Sequence, residues 1–161
     1  MREHLDEILR ARQIDGLLIH GSSMHNPPMV YMTGVAHVSG ADLIHVPGKG
    51  STLFHFPMER EEAAKSGLEL RSYTDYPIKE LLEAAGGDRT LATAIRYKRI
   101  LEQCGIKGGK IALMGRASLE TAWPVFNALQ KIIPGIEIVG DVEGDLLSDA
   151  REVLVHMTDP L

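Results

Sequence analysis

A chain of 161 residues, 44% hydrophobic and 24% charged, fits one globular domain large enough to bury a core without staples. A formal charge of −5 and the lack of a basic cluster argue against nucleic acid as a partner. One cysteine, Cys104, excludes a disulfide framework, and no apolar run nears the roughly 20 residues of a membrane span. The charged start, Met1-Arg2-Glu3-His4, is no signal peptide, so the expectation is a cytoplasmic domain.

Leu5, Ile8 and Leu9 recur at helical spacing and predict an amphipathic helix over 2–13, ended by Asp15-Gly16. Leu17-Leu18-Ile19 is a continuous apolar run that suits a strand covered on both faces. Asn26-Pro27-Pro28 starts a short helix, which Gly34 terminates. Residues 41–46 and 52–56 flank Pro47-Gly48-Lys49-Gly50 and predict an antiparallel hairpin. Pro57 opens a helix closed by Gly67, with Glu59, Glu61 and Glu62 near its positive end. Leu68 and Leu70 alternate with charged residues as a short strand. Asp75 is placed to cap a helix with Ile78, Leu81, Leu82 and Ala85 on one face, stopped by Gly86-Gly87.

A further stripe, Leu91, Ala94, Ile95, Leu101 and Cys104, ends at Gly105; Arg96, Lys98 and Arg99 form its wet side. Residues 111–114 predict a strand. Thr121 or Ser118 caps a helix running to Ile133, with Pro124 in its first turn, and residues 136–139 are the last strand. Helices alternating with strands around one hairpin predict an α/β domain. Its sheet is mixed but mainly parallel, of about six strands, with helices on both faces. After Gly140, Asp141, Glu143, Asp145 and Asp149 form an acidic stretch, and 146–157 reads as one more helix. The division expected is a domain over 1–144 and the start of a linker or helix over 145–161. Thr158-Asp159-Pro160 resembles another helix start with only Leu161 after it, as at a domain junction.

Chemistry is sparse. The seven histidines, His4, His20, His25, His37, His45, His55 and His156, include no helical i, i+4 pair and no His-Glu-x-x-His, so no metal ligands are assigned. A turn centred on 48–49 sets His45 opposite Thr52, away from His55. Cys104 ends a helix, where the dipole disfavours a thiolate. Ser22 and Ser23 lack a nucleophile elbow, and Gly109-Lys110 lacks the first glycine and the hydroxyl of a phosphate loop. The helix dipole accounts for Glu59, Glu61 and Glu62 as a solvated face, and Trp123 reads as core or interface packing. No catalytic residue is assigned.

Several short patterns share one order. Ile14-Asp15-Gly16-Leu17-Leu18-Ile19 is followed by Asn26 and Tyr31-Met32-Thr33-Gly34, then the hairpin, then Phe56-Pro57-Met58-Glu59 leading to Ala63. This order resembles the N-terminal domain of the creatinase/prolidase/Xaa-Pro aminopeptidase family. The lysine-containing part of that family's junction is not recognisable in 149–161. The resemblance implies a ribonuclease H-like fold beside a C-terminal "pita-bread" catalytic domain, which this chain stops short of. The implied catalytic half carries two divalent metal ions (Mn, Co or Zn) on two Asp, one His and two Glu. The implied role here is non-catalytic: shaping access of a peptide substrate and mediating association, as a homodimer. His37, then His25, with Tyr31, are the substrate-proximal candidates, because they lie in and beside the loop that follows the Tyr-Met-Thr-Gly helix. The alternatives are a stand-alone small-molecule or protein-interaction domain, part of a creatinase-like amidinohydrolase, or an unrelated α/β enzyme.

Overall fold

The structure, a computed structural model, describes residues 2–141 together with residues 146 and 147. Six strands form one sheet: β1 (Gly16–His20), β2 (Ala41–Val46), β3 (Gly50–His55), β4 (Glu69–Ser72), β5 (Gly109–Gly115) and β6 (Ile136–Gly140). Their order across the sheet is β4-β3-β2-β1-β5-β6. The pairs β1–β5, β3–β4 and β5–β6 are parallel, and β2 runs antiparallel to both neighbours. Five strands therefore point one way and β2 the other, the mixed, mainly parallel sheet expected.

Alternation along the strands feeds two cores. Leu17, Ile19, Leu43 and Leu53 face one side and pack with Leu5 and Leu9 of α1 (Arg2–Ala11), Met29 of α2 (Pro27–Thr33) and Ala63 of α3 (Arg60–Ala64). Leu18, Ile44, Phe54 and Ile111 face the other. There they meet Leu81 of α4 (Ile78–Ala84), Ile100 and Leu101 of α5 (Arg89–Gln103), and Phe126 and Leu129 of α6 (Leu119–Ile132). Each fully buried Leu, Ile or Phe contributes about 1.5–3 kcal/mol over its exposed state. Leu146 and Leu147 join the first core.

Local chemistry shifted several boundaries. The hairpin turn is tighter than expected. Pro47 and Gly48 are the central residues of a turn closed by Lys49 N–H on the Val46 carbonyl, with Gly48 at φ +80°. β3 thus begins at Gly50, and His45 faces Ser51; Thr52 faces Ile44. The helix expected after Pro57 is a 3-10 turn (Pro57–Glu59) followed by α3, which stops at Ala64. Asp75 does not cap α4. It lies in a 3-10 turn (Tyr73–Asp75) capped by Ser72, and Pro77 precedes α4 with no side-chain cap. Asp88 caps α5 through the Leu91 N–H, 3.1 Å. Ser118, not Thr121, stands at the N-cap of α6, so Pro124 falls one turn inside the helix. The 144/145 boundary and most of the helix expected over 146–157 lie outside the described residues, as does Thr158-Asp159-Pro160.

Candidate functional site

Because five strands share a direction, the sheet has a carboxyl edge and an amino edge. In open α/β sheets, sites gather at the carboxyl edge where the strand order reverses. That reversal falls between β1 and β5. The two strands approach closely there: Gly115, at φ +110°, faces His20, and a Cβ on it would stand 2.0 Å from the His20 carbonyl oxygen.

Asp42 opens β2 just inside this edge and is fully buried. A buried carboxylate needs partners, and Asp42 has three. His20 Nδ1 lies 2.7 Å from Oδ1, Tyr97 O–H donates to Oδ1 at 2.7 Å, and Tyr73 O–H donates to Oδ2 at 2.5 Å. These groups come from the end of β1, the middle of α5 and the turn after β4. Arg96 lies over both phenol rings, 4.8 Å from the Tyr73 centroid and 5.5 Å from that of Tyr97. Its Nε is buried without a partner. Phe56 packs tilted on Tyr73, with centroids 5.0 Å apart. Arg96 is therefore part of a buried network and not the wet side of its helix.

The electrostatics follow from this packing. The hydrogen bond to Asp42 and its charge raise the pKa of His20, against burial and Arg96. Burial alone would raise that of Asp42; the bonds and charge of His20, with the two phenols, hold it below its ordinary value. Burial and the Asp42 charge push both tyrosines up, so they stay hydroxyl donors. His20, one-third exposed, thus has Nδ1 on Asp42 and an Nε2 that makes no bond among the described residues. When protonated, His20 with Arg96 would set two cations against one carboxylate, a cluster suited to donating to an anionic group at the edge.

The sequence candidates lie in the same quarter but outside this cluster. His25 is exposed at φ +54°, and its carbonyl accepts from Arg116 Nη1 at 2.8 Å. His37 is exposed, with its backbone N–H donating to Glu62 Oε1 at 3.0 Å. Tyr31, half-buried on α2, packs against the α1-side core. Glu59 accepts the Ser39 N–H at 2.9 Å. Glu59 and Glu62 therefore tether the loop before β2 and are more than a solvated face. His20 and Asp42 were missed because 22 residues separate them in sequence. One signal existed: a lone acid within the apolar run of residues 41–46 must be paired if that strand is buried.

A second acid–imidazole–hydroxyl chain lies under α1. His45 contacts Asp6 Oδ1 through Nε2 at 2.6 Å and Ser51 Oγ through Nδ1 at 2.7 Å. His45 is fully buried and Ser51 nearly so, which makes this chain a tether between α1 and the hairpin. Cys104 is half-buried, and burial raises its thiol pKa.

Exposed apolar groups mark the same edge. Met24, Val30 and Val35 follow β1, Phe56 and Met58 follow β3, Ile78 follows β4, and Leu119 and Trp123 follow β5. Trp123, 73% exposed, is not a core residue. Among the described residues, no helix is long and apolar enough to cross a membrane. Nor do three His, Cys, Asp or Glu side chains group as metal ligands among them. The carboxylate–imidazole pair at this edge, His20–Asp42, is closed off by two phenols and does not fit a two-metal centre.

The fold has known counterparts. The chain superposes on an X-Pro aminopeptidase from Thermotoga maritima with TM-score 0.63 at 17% identity, covering 94% of this chain and 35% of that one. A dipeptidase from Pyrococcus horikoshii gives 0.58 at 17% identity, covering 94% and 36%. The N-terminal domain of an Xaa-Pro dipeptidase from Lactobacillus brevis gives 0.57 at 12% identity, covering 91% and 98%. The chain thus spans about a third of the longer enzymes and nearly all of the isolated domain. No curated protein matches it. The sequence pattern of the Creatinase/Prolidase N-terminal domain matches residues 1–153, and the chain belongs to that family.

Proposed function

We propose that this chain is the N-terminal, non-catalytic domain of a metal-dependent Xaa-Pro peptidase. In this reading it works in the cytoplasm, walls the substrate cleft and mediates homodimer formation. The single observation that carries the reading is that, among the described residues, the exposed large apolar side chains lie on segments that leave the carboxyl edge, in a chain of this family. Exposed large apolar side chains gathered at one edge favour a contact there. The pita-bread catalytic half would supply the two divalent ions, of Mn, Co or Zn, and the hydroxide they generate. The residues described here would bound the cleft and hold no metal.

Within this reading, the loop tethered by Glu59 and Glu62 presents His37 toward peptide substrate, with His25 and Tyr31 behind it. Two backbone anchors give an exposed loop a defined position, which a substrate contact requires. In the chain extended by its catalytic half, His37→Ala should raise KM or lower kcat/KM for Xaa-Pro dipeptides, with fold and metal content unchanged. The 161-residue chain alone should neither cleave such peptides nor bind Mn²⁺ stoichiometrically by calorimetry. Turnover by that chain alone, or unaltered kinetics of the His37 variant across pH, would contradict the assignment.

A further inference from the structure

We propose a second site, at the amino edge of the sheet, that binds the phosphate group of a small phosphorylated molecule. A cleft of about 710 Å³ opens there between the end of α1, the hairpin turn and the loop from α5 to β5. That volume lies within the range of about 300–1,000 Å³ usual for small-molecule sites. Arg10 and Lys107 line it, and Ile14 and Ile106 supply an apolar floor.

Three features converge on an anion. First, Arg10 and Lys107, which line the cleft, and Lys49, which lies beside the lining Gly105, are exposed and make no ion pair among the described residues. Arg10 and Lys49 are laid across glycines. Arg10 Nη2 is 3.0 Å from where a Cβ on Gly48 would stand, and Lys49 Nζ is 2.6 Å from where one on Gly105 would stand. Second, the consecutive backbone N–H groups of Lys107 and Gly108 have no acceptor among the described residues, whereas those of Gly105, Ile106 and Gly109 are all bonded. Adjacent free N–H groups in a turn favour an anion. Third, the one acid lining the cleft, Asp15, already accepts the Lys110 N–H on Oδ2 at 2.8 Å.

The ends of α1 and α5 also meet at this edge, and their dipoles attract cations. That accounts for Arg10 and Lys49. It leaves the free N–H donors unexplained, since these add positive potential of their own. A phosphate uses both, accepting from backbone donors and cations together. The inference is independent of the peptidase reading and requires only this chain.

Amide NMR titration of the 161-residue chain at constant ionic strength tests it, with pyrophosphate, ADP and adenosine as probes. Pyrophosphate and ADP should saturably shift amides over residues 105–110 and 10–15, and adenosine should not. Replacing both cations, Arg10→Gln with Lys107→Gln, should weaken both phosphate ligands by about tenfold or more, with the remaining spectrum preserved. No saturable shift up to about 10 mM would overturn the site. So would an unchanged Kd in the double variant; a lowered Tm alongside it would mean that the cations serve the helix ends alone. Equal shifts by adenosine would overturn the phosphate assignment.

Discussion

The two edges of this sheet are built differently although the same strands form both. At the amino edge the chain turns through short, glycine-rich connections: Pro47–Lys49 in the hairpin, Gly105–Gly108 before β5, and Pro134-Gly135 before β6. At the carboxyl edge it makes an excursion of many residues over 21–40, and from residue 56 it starts the crossover that carries α3 back to the amino edge at β4. The carboxyl edge holds the buried His20–Asp42–Tyr73–Tyr97 network, and its segments carry the exposed apolar side chains. The amino edge holds exposed cations over a polar cleft. Short turns spend their residues closing the chain on itself. Long connections leave side chains free for other work, whereas the buried Asp6–His45–Ser51 chain beside the hairpin serves to hold α1 to that turn.

The largest effect expected in this comparison is at Asp42. Replacing it with Ala leaves His20 and two phenols without their common acceptor and should cost about 3–5 kcal/mol in denaturant unfolding. At the amino edge, Asp15→Ala removes one acceptor, that of the Lys110 N–H, and should cost only about 1 kcal/mol. Similar losses at both positions would erase the distinction between the edges.

Next in size is the pH dependence. His20 has its pKa raised on folding, so its contribution is fully present below the ordinary histidine value of 6.5 and is lost as pH rises through the folded value. Asp42 has its pKa lowered, so its contribution is present above the ordinary 3.8 and is lost as pH falls through the folded value. Unfolding free energy should therefore decline on going from pH 6.5 toward alkaline conditions, and His20→Gln should flatten that decline. A decline of the same size in His20→Gln would show that another group is responsible.

The smallest effect on the domain itself is expected at the exposed apolar residues. Met58→Ser with Trp123→Ser, at positions 95% and 73% exposed, should change stability by no more than about 0.5 kcal/mol each. The same pair should weaken the self-association proposed for this domain, read by sedimentation velocity; a large loss of stability would mean that these side chains are packed after all.

Much of the fold was legible because it rests on local rules. Proline at the start of α2 and the hairpin turn, glycine after α2 and α5, and the continuous apolar run in β1 each announce their element. Finer placement failed where a neighbour decides it. Gly48 in the left-handed region tightened the turn, so His45 faces Ser51 and not Thr52. Ser118 at the N-cap put Pro124 a turn inside α6. The carboxyl-edge network was least legible. His20 ends an apolar strand, and Asp42 sits second in another; only the antiparallel register pairs them. Tyr73 and Tyr97 arrive from a 3-10 turn and a helix with no spacing that links them to either. Arg96 looked solvent-facing because periodicity places it on the polar side of α5 and says nothing of the tyrosines beneath it.

The central claim is that the carboxyl edge is the contact edge of this domain. Backbone hydrogen exchange, compared between the chain alone and the chain extended by the catalytic half proposed for it, tests it most directly. New protection should appear over 21–40, 56–59 and 119–123, while the amino-edge turns over 47–50 and 105–109 exchange as before. Protection confined to those amino-edge turns, with the carboxyl-edge segments unchanged, would contradict the account.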